Sequence, residues 1–530
     1  MRRTRNALVG AVAVALAVTG CTGGGDTPAP GDSGAPTASA TASAAPVAPV
    51  VVGTVIEGQA VDLEVGPLAV HDDVAVLRLA APVGYSALMS EYWHVFGGAA
   101  DIGPNGARLV DLEAGTVMPV LRTADRGVSL ATRNGSPGGP ATDAAEAAAG
   151  EDVTVLYAAF PVVDASTVDV LLPSAGWVPD VPVVAAADAG VLTVPPAELV
   201  DEPVAEPVRY PLEAYTEQLG GQVRTRETTE QVAVAVSSDV LFAFDSDQLA
   251  PEADTALRAA AEQVAAHEGG TLTVVGHTDD QGEPAYNLDL SQRRAATVRD
   301  RIGALVDLSA FDVSVEGRGE DEPAVAGTGE AERALNRRVE LVLVPTGDAP
   351  TDDARATDAP TTGALPDPQG PVAPGATGVS VVDGDSTFDV RIEQVHRVGG
   401  YVVGGLEVTN TGTEDLALGS LAVGAWDARG SFDAQLQFAP TNVTLVSGST
   451  RLYPVDYLVD PEHDEREPLS DRVLDGIGPG TTQLVTVVWP DPGTSAVTVD
   501  VAPRHHASIE SVQIAGRAPF RLTDVPVVDG

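Results

Sequence analysis

Lysine is missing altogether: all 30 basic residues of this 530-residue chain are arginine. Chemistry that needs an ε-amine is thereby excluded, including Walker-type phosphate loops, pyridoxal Schiff bases and Ser-x-x-Lys nucleophiles. Cysteine occurs once, at Cys21, which excludes intrachain disulfides and thiolate metal clusters. Aromatic residues are scarce, with Trp 4, Tyr 9 and Phe 9, whereas Gly 55 and Pro 40 interrupt a chain that is 44% apolar. That balance favours many short strands and flexible links over large helical bundles. Positive charge is also in short supply. Thirty basic against 76 acidic residues leave a net −46, which repels phosphate backbones and argues against a nucleic-acid partner. At roughly 100 to 200 residues per domain, the length predicts about three to five folded units.

The N-terminus carries Arg2, Arg3 and Arg5, an apolar stretch from Ala7 to Val18, and then Val18-Thr19-Gly20-Cys21. The apolar run is too short for a comfortable membrane span and reads as a signal peptide over residues 1–20. Small residues directly before the cysteine resemble a bacterial lipobox. The resemblance implies cleavage before Cys21 and acylation of that residue, so that the mature chain is held at a membrane by its lipid. An ordinary secretory signal with an incidental cysteine is the alternative, and both export the chain. Thr22, not aspartate, follows Cys21, so the familiar inner-membrane retention signal is absent. The expected location is the extracytoplasmic face of the cell membrane, or the outer membrane in an organism that has one.

Residues 21–50 are Gly, Ala, Pro, Ser and Thr with almost no large apolar side chain, which predicts a disordered tether. Pro- and Asp-rich stretches predict linkers at 195–230 and 346–378. These leave folded segments at 51–194, 231–345 and 379–516, with 517–530 as a tail. The first and third segments look related. Val155 to Pro161 aligns with Leu484 to Pro490, and Val168, Val170 and Leu172 alternate as Val497, Val499 and Val501 do. Upstream, Leu112 to Gly115 matches Leu445 to Gly448, and Met118-Pro119 matches Tyr453-Pro454. Tyr401 to Gly412 resembles a strand and turn of secreted immunoglobulin-like domains, so two related β-sandwiches are expected. The acidic clusters Asp383-Gly384-Asp385 and Asp460 to Glu467 match no calcium-loop spacing and read as solvated turns. His505-His506 are adjacent and would face opposite sides of a strand, which argues against one shared metal site.

Between residues 231 and 345 the pattern changes to alternating strands and helices. Strands are predicted over Val232 to Phe244, Thr271 to Val275, Val313 to Glu316 and Arg338 to Val344, and helices from about Pro251 to His267 and up to Leu305. In the second helix Ser291, Ala295, Val298, Ile302 and Leu305 form an inward stripe, with Arg294, Arg299 and Arg301 off its centre. Four blocks occur in order: Leu241-Phe242-Ala243-Phe244-Asp245-Ser246-Asp247-Gln248-Leu249, Gly276-His277-Thr278-Asp279-Asp280-Gln281-Gly282, Tyr286 to Ala295, and Asn336-Arg337-Arg338-Val339-Glu340.

These blocks resemble the OmpA-like peptidoglycan-binding domain of outer-membrane protein A and peptidoglycan-associated lipoproteins, over about a fifth of the chain. The resemblance implies an α/β sandwich, a mixed sheet with helices on one face, that binds the diaminopimelate of the peptidoglycan stem peptide. It assigns Asp279 to the ligand's ammonium and Arg294 to its carboxylate, where a bidentate guanidinium fits. Asn287 matches the motif asparagine, Thr278 and Leu290 shape the pocket, and Arg337 is a further candidate for ligand charge. His277 has no second ligand at metal spacing and reads as a strand-end residue. The expectation is therefore a multidomain α+β lipoprotein, without cofactor or catalytic residues, whose central module is flanked by two immunoglobulin-like sandwiches and ties a membrane to the wall. Two rivals stand beside it. In one the sandwiches bind an envelope protein or extracellular ligand and the module only targets the wall. In the other a carboxylate pair hydrolyses a wall carbohydrate, although no Gly-x-Ser-x-Gly or His-Glu-x-x-His is present.

Overall fold

The computed structural model describes residues 47–56, 59–84, 104–132, 153–325, 327–346, 367–416, 439–460, 465–471, 476–502 and 518–530, with residues 88, 149, 365 and 421. The expected signal peptide, Cys21, most of the tether, residues 347–364 and His505-His506 lie outside the described residues.

The first segment is built from β1 (Val50–Ile56), β2 (Gln59–His71), β3 (Val74–Ala81), β4 (Arg108–Asp111), β5 (Thr116–Pro119), β6 (Thr154–Pro161), β7 (Thr167–Leu172) and β8 (Gly176–Ala185). Strands β1, β2, β3 and β6 pair antiparallel in that order, while β5, β4, β7 and β8 make a second antiparallel set. β8 also runs parallel to β2 from Leu68↔Val183, joining the two. Their inward residues, among them Leu63, Leu77, Leu156 and Phe160 from one set and Leu109, Met118 and Val170 from the other, share one core.

The next strands are β9 (Tyr210–Gln218), β10 (Val223–Glu227), β11 (Val232–Ser237), β12 (Gly270–His277), β13 (Phe311–Gly319) and β14 (Arg338–Pro345). Four helices lie among them: α1 (Ser238–Leu241), α2 (Ala253–Ala265), α3 (Pro284–Leu305) and α4 (Glu330–Asn336). The sheet runs β9-β10-β11-β14-β12-β13, with β12 and β13 as its parallel pair and α3 as their crossover. Val232, Val234, Val236, Leu272, Val274, Leu341 and Leu343 meet α2 and α3 in one core. The strand expected from Val232 to Phe244 stops at Ser237, because Ser238 to Leu241 turns helically and Phe242 bridges back to Leu249.

The third segment contains β15 (Val372–Pro374), β16 (Val379–Asp383), β17 (Ser386–Arg391), β18 (Val395–Val398), β19 (Tyr401–Asn410), β20 (Val443–Ser447), β21 (Thr450–Leu452), β22 (Asp456–Asp460), β23 (Glu465–Pro468), β24 (Thr482–Pro490), β25 (Ala496–Val501) and β26 (Phe520–Asp529). Its pairings repeat those of the first segment. β18, β19 and β24 are antiparallel with β26 parallel to β18, as β2, β3 and β6 are with β8; β21, β20, β25 and β26 follow the order of β5, β4, β7 and β8. The matching heptapeptides fall on β6 and β24, and the matching alternations on β7 and β25.

Two expected boundaries are corrected. Residues 195–230 are not merely a linker, since β9 and β10 lie there, and 517–530 are not a tail, since β26 pairs with β25, β15 and β18. Polar and proline residues on both stretches masked strands whose partners are distant in sequence. Strand β9 is the joint of the chain. It pairs with β10 of the central sheet, with β5 of the first segment through Tyr210↔Val117, and with β21 and β22 of the third. Val110, Val117 and Leu171 of the first segment, Leu212 of β9, and Tyr401, Tyr457 and Val488 of the third form a common apolar cluster. Arg108 donates to the carbonyls of Pro468 and Ser470 at 3.0 and 2.7 Å across the same contact.

Asp471 lies in this contact, fully buried, accepting from the Thr486 and Ser174 N–H groups at 2.8 and 3.3 Å. Burial pushes its carboxyl up to about 7 although those bonds and Arg108 pull the other way. A carboxyl whose native pKa exceeds its unfolded value of about 3.9 stabilises the fold fully below that value, and the contribution is lost as pH rises towards 7. Asp471→Asn keeps the shape and the acceptor but cannot ionise. Its stability relative to wild type, from urea unfolding, is expected to rise between pH 5 and pH 8; a difference constant with pH would refute this account.

Candidate functional site

Two glycines let α3 settle directly on the sheet. A Cβ at Gly276 would lie 2.1 Å from the Ser291 carbonyl oxygen, and one at Gly317 would lie 2.6 Å from the Gln292 nitrogen. Ser291 Oγ accepts the Gly319 N–H at 3.0 Å, which locks the end of β13 to the helix. The buried stripe of α3 includes Ser291, Ala295, Val298 and Ile302 as expected, but it widens at the N-terminal half to take in Asn287, Leu290 and Arg294. Burial of Arg294 differs from the expected off-centre position. Its guanidinium leaves the helix under the 242–247 turn, where Nε donates to the Ser246 carbonyl at 2.9 Å and the cation sits 5.0 Å from the Phe242 ring centre.

Arg294 is only 7% exposed, and burial lowers its pKa despite nearby Asp239 and Asp245. Every other arginine between β10 and β14 has a carboxylate within 4.0 Å; among the described residues Arg294 has none. A desolvated guanidinium without a counter-ion is costly, and such groups cluster where a ligand supplies the missing charge.

Asp279 follows β12 and is 13% exposed. One carboxylate oxygen accepts the Gln281 N–H at 3.1 Å and the other accepts Arg337 Nη1 at 2.7 Å, which leaves lone pairs on both. Thr278 is buried, its N–H bonded to the Gly319 carbonyl at 2.8 Å and its hydroxyl to the Asp279 carbonyl at 3.0 Å. Asn287 is buried; its amide nitrogen lies 2.7 Å from Glu320 Oε2, 3.1 Å from the Gln281 carbonyl and 3.4 Å from that of Asp279. Thr278 and Asn287 therefore hold the loop that carries Asp279. Leu290 is buried beside them on α3.

Arg337, at the end of α4, is committed to protein carboxylates. It grips both oxygens of Asp239 at 2.9 and 2.8 Å and also reaches Glu330 and Asp279, and these bonds, that to Asp239 foremost, raise its pKa. Asp239 in turn is the leading acidic influence on Arg294. Arg337 thus links Asp279, through Asp239, to the surroundings of Arg294. Arg333 pins the neighbouring Asp280 at 2.6 Å and draws its carboxyl down to about 2. Sequence reasoning missed Asp239, Glu320 and the Ser246 carbonyl. The last lies inside the Leu241 to Leu249 block; nothing in the chain's local pattern marks Asp239. His277 closes β12 at 2% exposure with neither ring nitrogen in hydrogen-bond geometry; the Glu322 backbone is nearby, and burial followed by Arg338 lowers its pKa to about 4.

The site is that of an α/β module in which a loop carboxylate is held by an ion pair with Arg337 and a buried guanidinium by the Ser246 carbonyl and the Phe242 ring. Through residues 241–337, which match the OmpA family, the chain belongs to that family. It is 38% identical over 106 residues to a peptidoglycan-associated lipoprotein of Legionella pneumophila, covering 20% of this chain and 60% of that protein. It is 35% identical to another of that name from Pseudomonas putida, covering 21% and 67%. The chain thus spans about 60% of the length of the first of these curated relatives. A solved structure described as the cell wall anchor of the T6SS from Pseudomonas aeruginosa is 30% identical, covers 24% of this chain and 90% of that one, and superposes with a TM-score of 0.22.

Proposed function

We propose that this protein is a non-enzymatic envelope lipoprotein, anchored through acylated Cys21, that holds peptidoglycan by the diaminopimelate of the stem peptide. Asp279 receives the ammonium of that residue and Arg294 its carboxylate. Asn287, Thr278 and Arg337 keep Asp279 in place, and Leu290 forms part of the pocket wall. The observation that carries this reading is Arg294: buried, cationic, and without a carboxylate among the described residues in a chain of net charge −46. The relatives' name, peptidoglycan-associated lipoprotein, supports peptidoglycan as the partner. A lipid at one end and a wall contact at the other make even a modest affinity effective, because tethering raises the local concentration.

Diaminopimelate differs from lysine at this position by one carboxylate, the group assigned to Arg294. The chain is expected to cosediment with diaminopimelate-type peptidoglycan at least about tenfold more tightly than with lysine-type, the difference of one charge-assisted pair. Equal binding to both walls would remove Arg294 from the carboxylate role.

A further inference from the structure

A second cleft lies on the face of the central sheet away from α2 and α3. It has a volume of about 290 Å³, near the lower end of small-molecule sites. Its floor follows from the strand register: Arg224 stands opposite Ala235, and Arg226 opposite Ala233, so two arginines on β10 face two methyl groups on β11. Pro323 and Leu335 extend the apolar surface, and Arg338, Glu340, Arg466 and Glu322, the last turned to Arg318 at 3.4 Å, complete the polar wall. Arg466 comes from β23 of the third segment, which β9 brings against the module, so that segment supplies one edge of the cleft.

The charges around the cleft are unequally engaged. Arg338 is 2.6 Å from Glu340 and also donates to the Asn336 and Glu322 carbonyls. Arg466 is paired with Glu213 and Asp456. Arg224 uses Nε on Glu217 at 2.9 Å, which directs the outer edge of its fork elsewhere. Arg226 is the loosely held one: it is 45% exposed, and among the described residues Glu340, at 4.0 Å, is its one carboxylate within ion-pair reach. Glu340 does not depend on it, because Arg338 already holds it at 2.6 Å. Residues 224 and 226 sit two apart on one strand face, so their side chains rise about 7 Å from one another, a gap that one oxyanion can bridge.

We infer that this cleft binds a small organic anion, its single carboxylate or phosphate held between Arg224 and Arg226 and its apolar body lying over Ala233, Ala235, Pro323 and Leu335. The two arginines supply charge and the two alanines supply room. A site of this size, with two arginines adjacent on one strand face, suits an affinity of about micromolar to millimolar.

The test is calorimetric titration of the full chain in detergent with benzoate, phenyl phosphate, benzamide and inorganic phosphate. Saturable binding of benzoate or phenyl phosphate is expected, with benzamide at least tenfold weaker because it lacks the charge. Preference between the first two tells a carboxylate ligand from a phosphate one. Arg226→Ala, at an exposed position, should weaken binding at least tenfold, Arg226→Lys should retain part of it, and Ala235→Leu should abolish it by filling the floor. Absence of saturation by either aromatic anion at about 10 mM would overturn the inference. So would unchanged affinity in Arg226→Ala, or inorganic phosphate binding as tightly as phenyl phosphate. Circular dichroism and wall cosedimentation of each variant report the fold and the first site separately.

Discussion

Arg294→Met is expected to lower affinity for diaminopimelate-type peptidoglycan by at least about 100-fold, some 2.7 kcal/mol, while leaving the module as stable as wild type or slightly more so. The two halves of this result have one cause. The guanidinium is stripped of water at 7% exposure without a carboxylate to replace it, so the native fold bears a desolvation cost that the ligand relieves. Methionine retains the apolar stem and its contact with Phe242, and removes the charge. Lost in exchange are the bond to the Ser246 carbonyl, worth about 1 kcal/mol, and the cation–π contact, worth about 1 kcal/mol. Cosedimentation and urea unfolding, run on the same preparations, decide it. A variant that loses binding only in proportion to lost stability would make Arg294 a structural residue. Arg337→Ala offers the contrast: its removal leaves Asp239 and Asp279 without their cation, so both binding and stability should fall.

Arg466→Ala is expected to cost about 3 to 5 kcal/mol, because both partners of its ion pair with Asp456 are buried. Its guanidinium is 6% exposed and lies 3.2 Å from Asp456, which has no exposure, and 3.0 Å from Glu213 on β9. Truncation removes the guanidinium 3.2 Å from a buried carboxylate at the place where β9 pairs with β22. Hydrogen exchange at β9 and β22 should rise well before that of β12 to β14, because the loss falls on the joint and not on the module's own core. Adding Asp456→Asn should recover most of the loss by removing the buried charge. A double variant no more stable than the single one would place the cost in packing instead.

Much of the central module was legible from its residues. Periodicity located β12, β13, β14 and both long helices, and the ordered blocks singled out Asp279 and Arg294. Local pattern also related β6 and β7 to β24 and β25, because half-buried strands alternate whatever their partners. Beyond that, local reading failed for identifiable reasons. The 210–227 stretch holds one proline and five charged residues beside five large apolar ones, Tyr210, Leu212, Tyr215, Leu219 and Val223, yet β9 is satisfied by strands from three segments, and no short-range signal records partners more than 200 residues away. Asn287 and Arg337 carry motif identity, but their hydrogen bonds assign them to holding Asp279, a distinction of a few ångströms that residue type does not encode.

By itself, then, the sequence determined the classes of chemistry excluded and the position of the α/β module, and it singled out Asp279 and Arg294 as candidates there, since composition and motif are local properties. Tertiary structure decided that Arg294 is buried with no carboxylate within 4.0 Å among the described residues, that Asp279 is held by Arg337, and that β9 joins three segments beside the arginine-lined cleft. Those properties depend on which distant groups become neighbours, and it is neighbours, through desolvation and ion pairing, that set the energy of a charge.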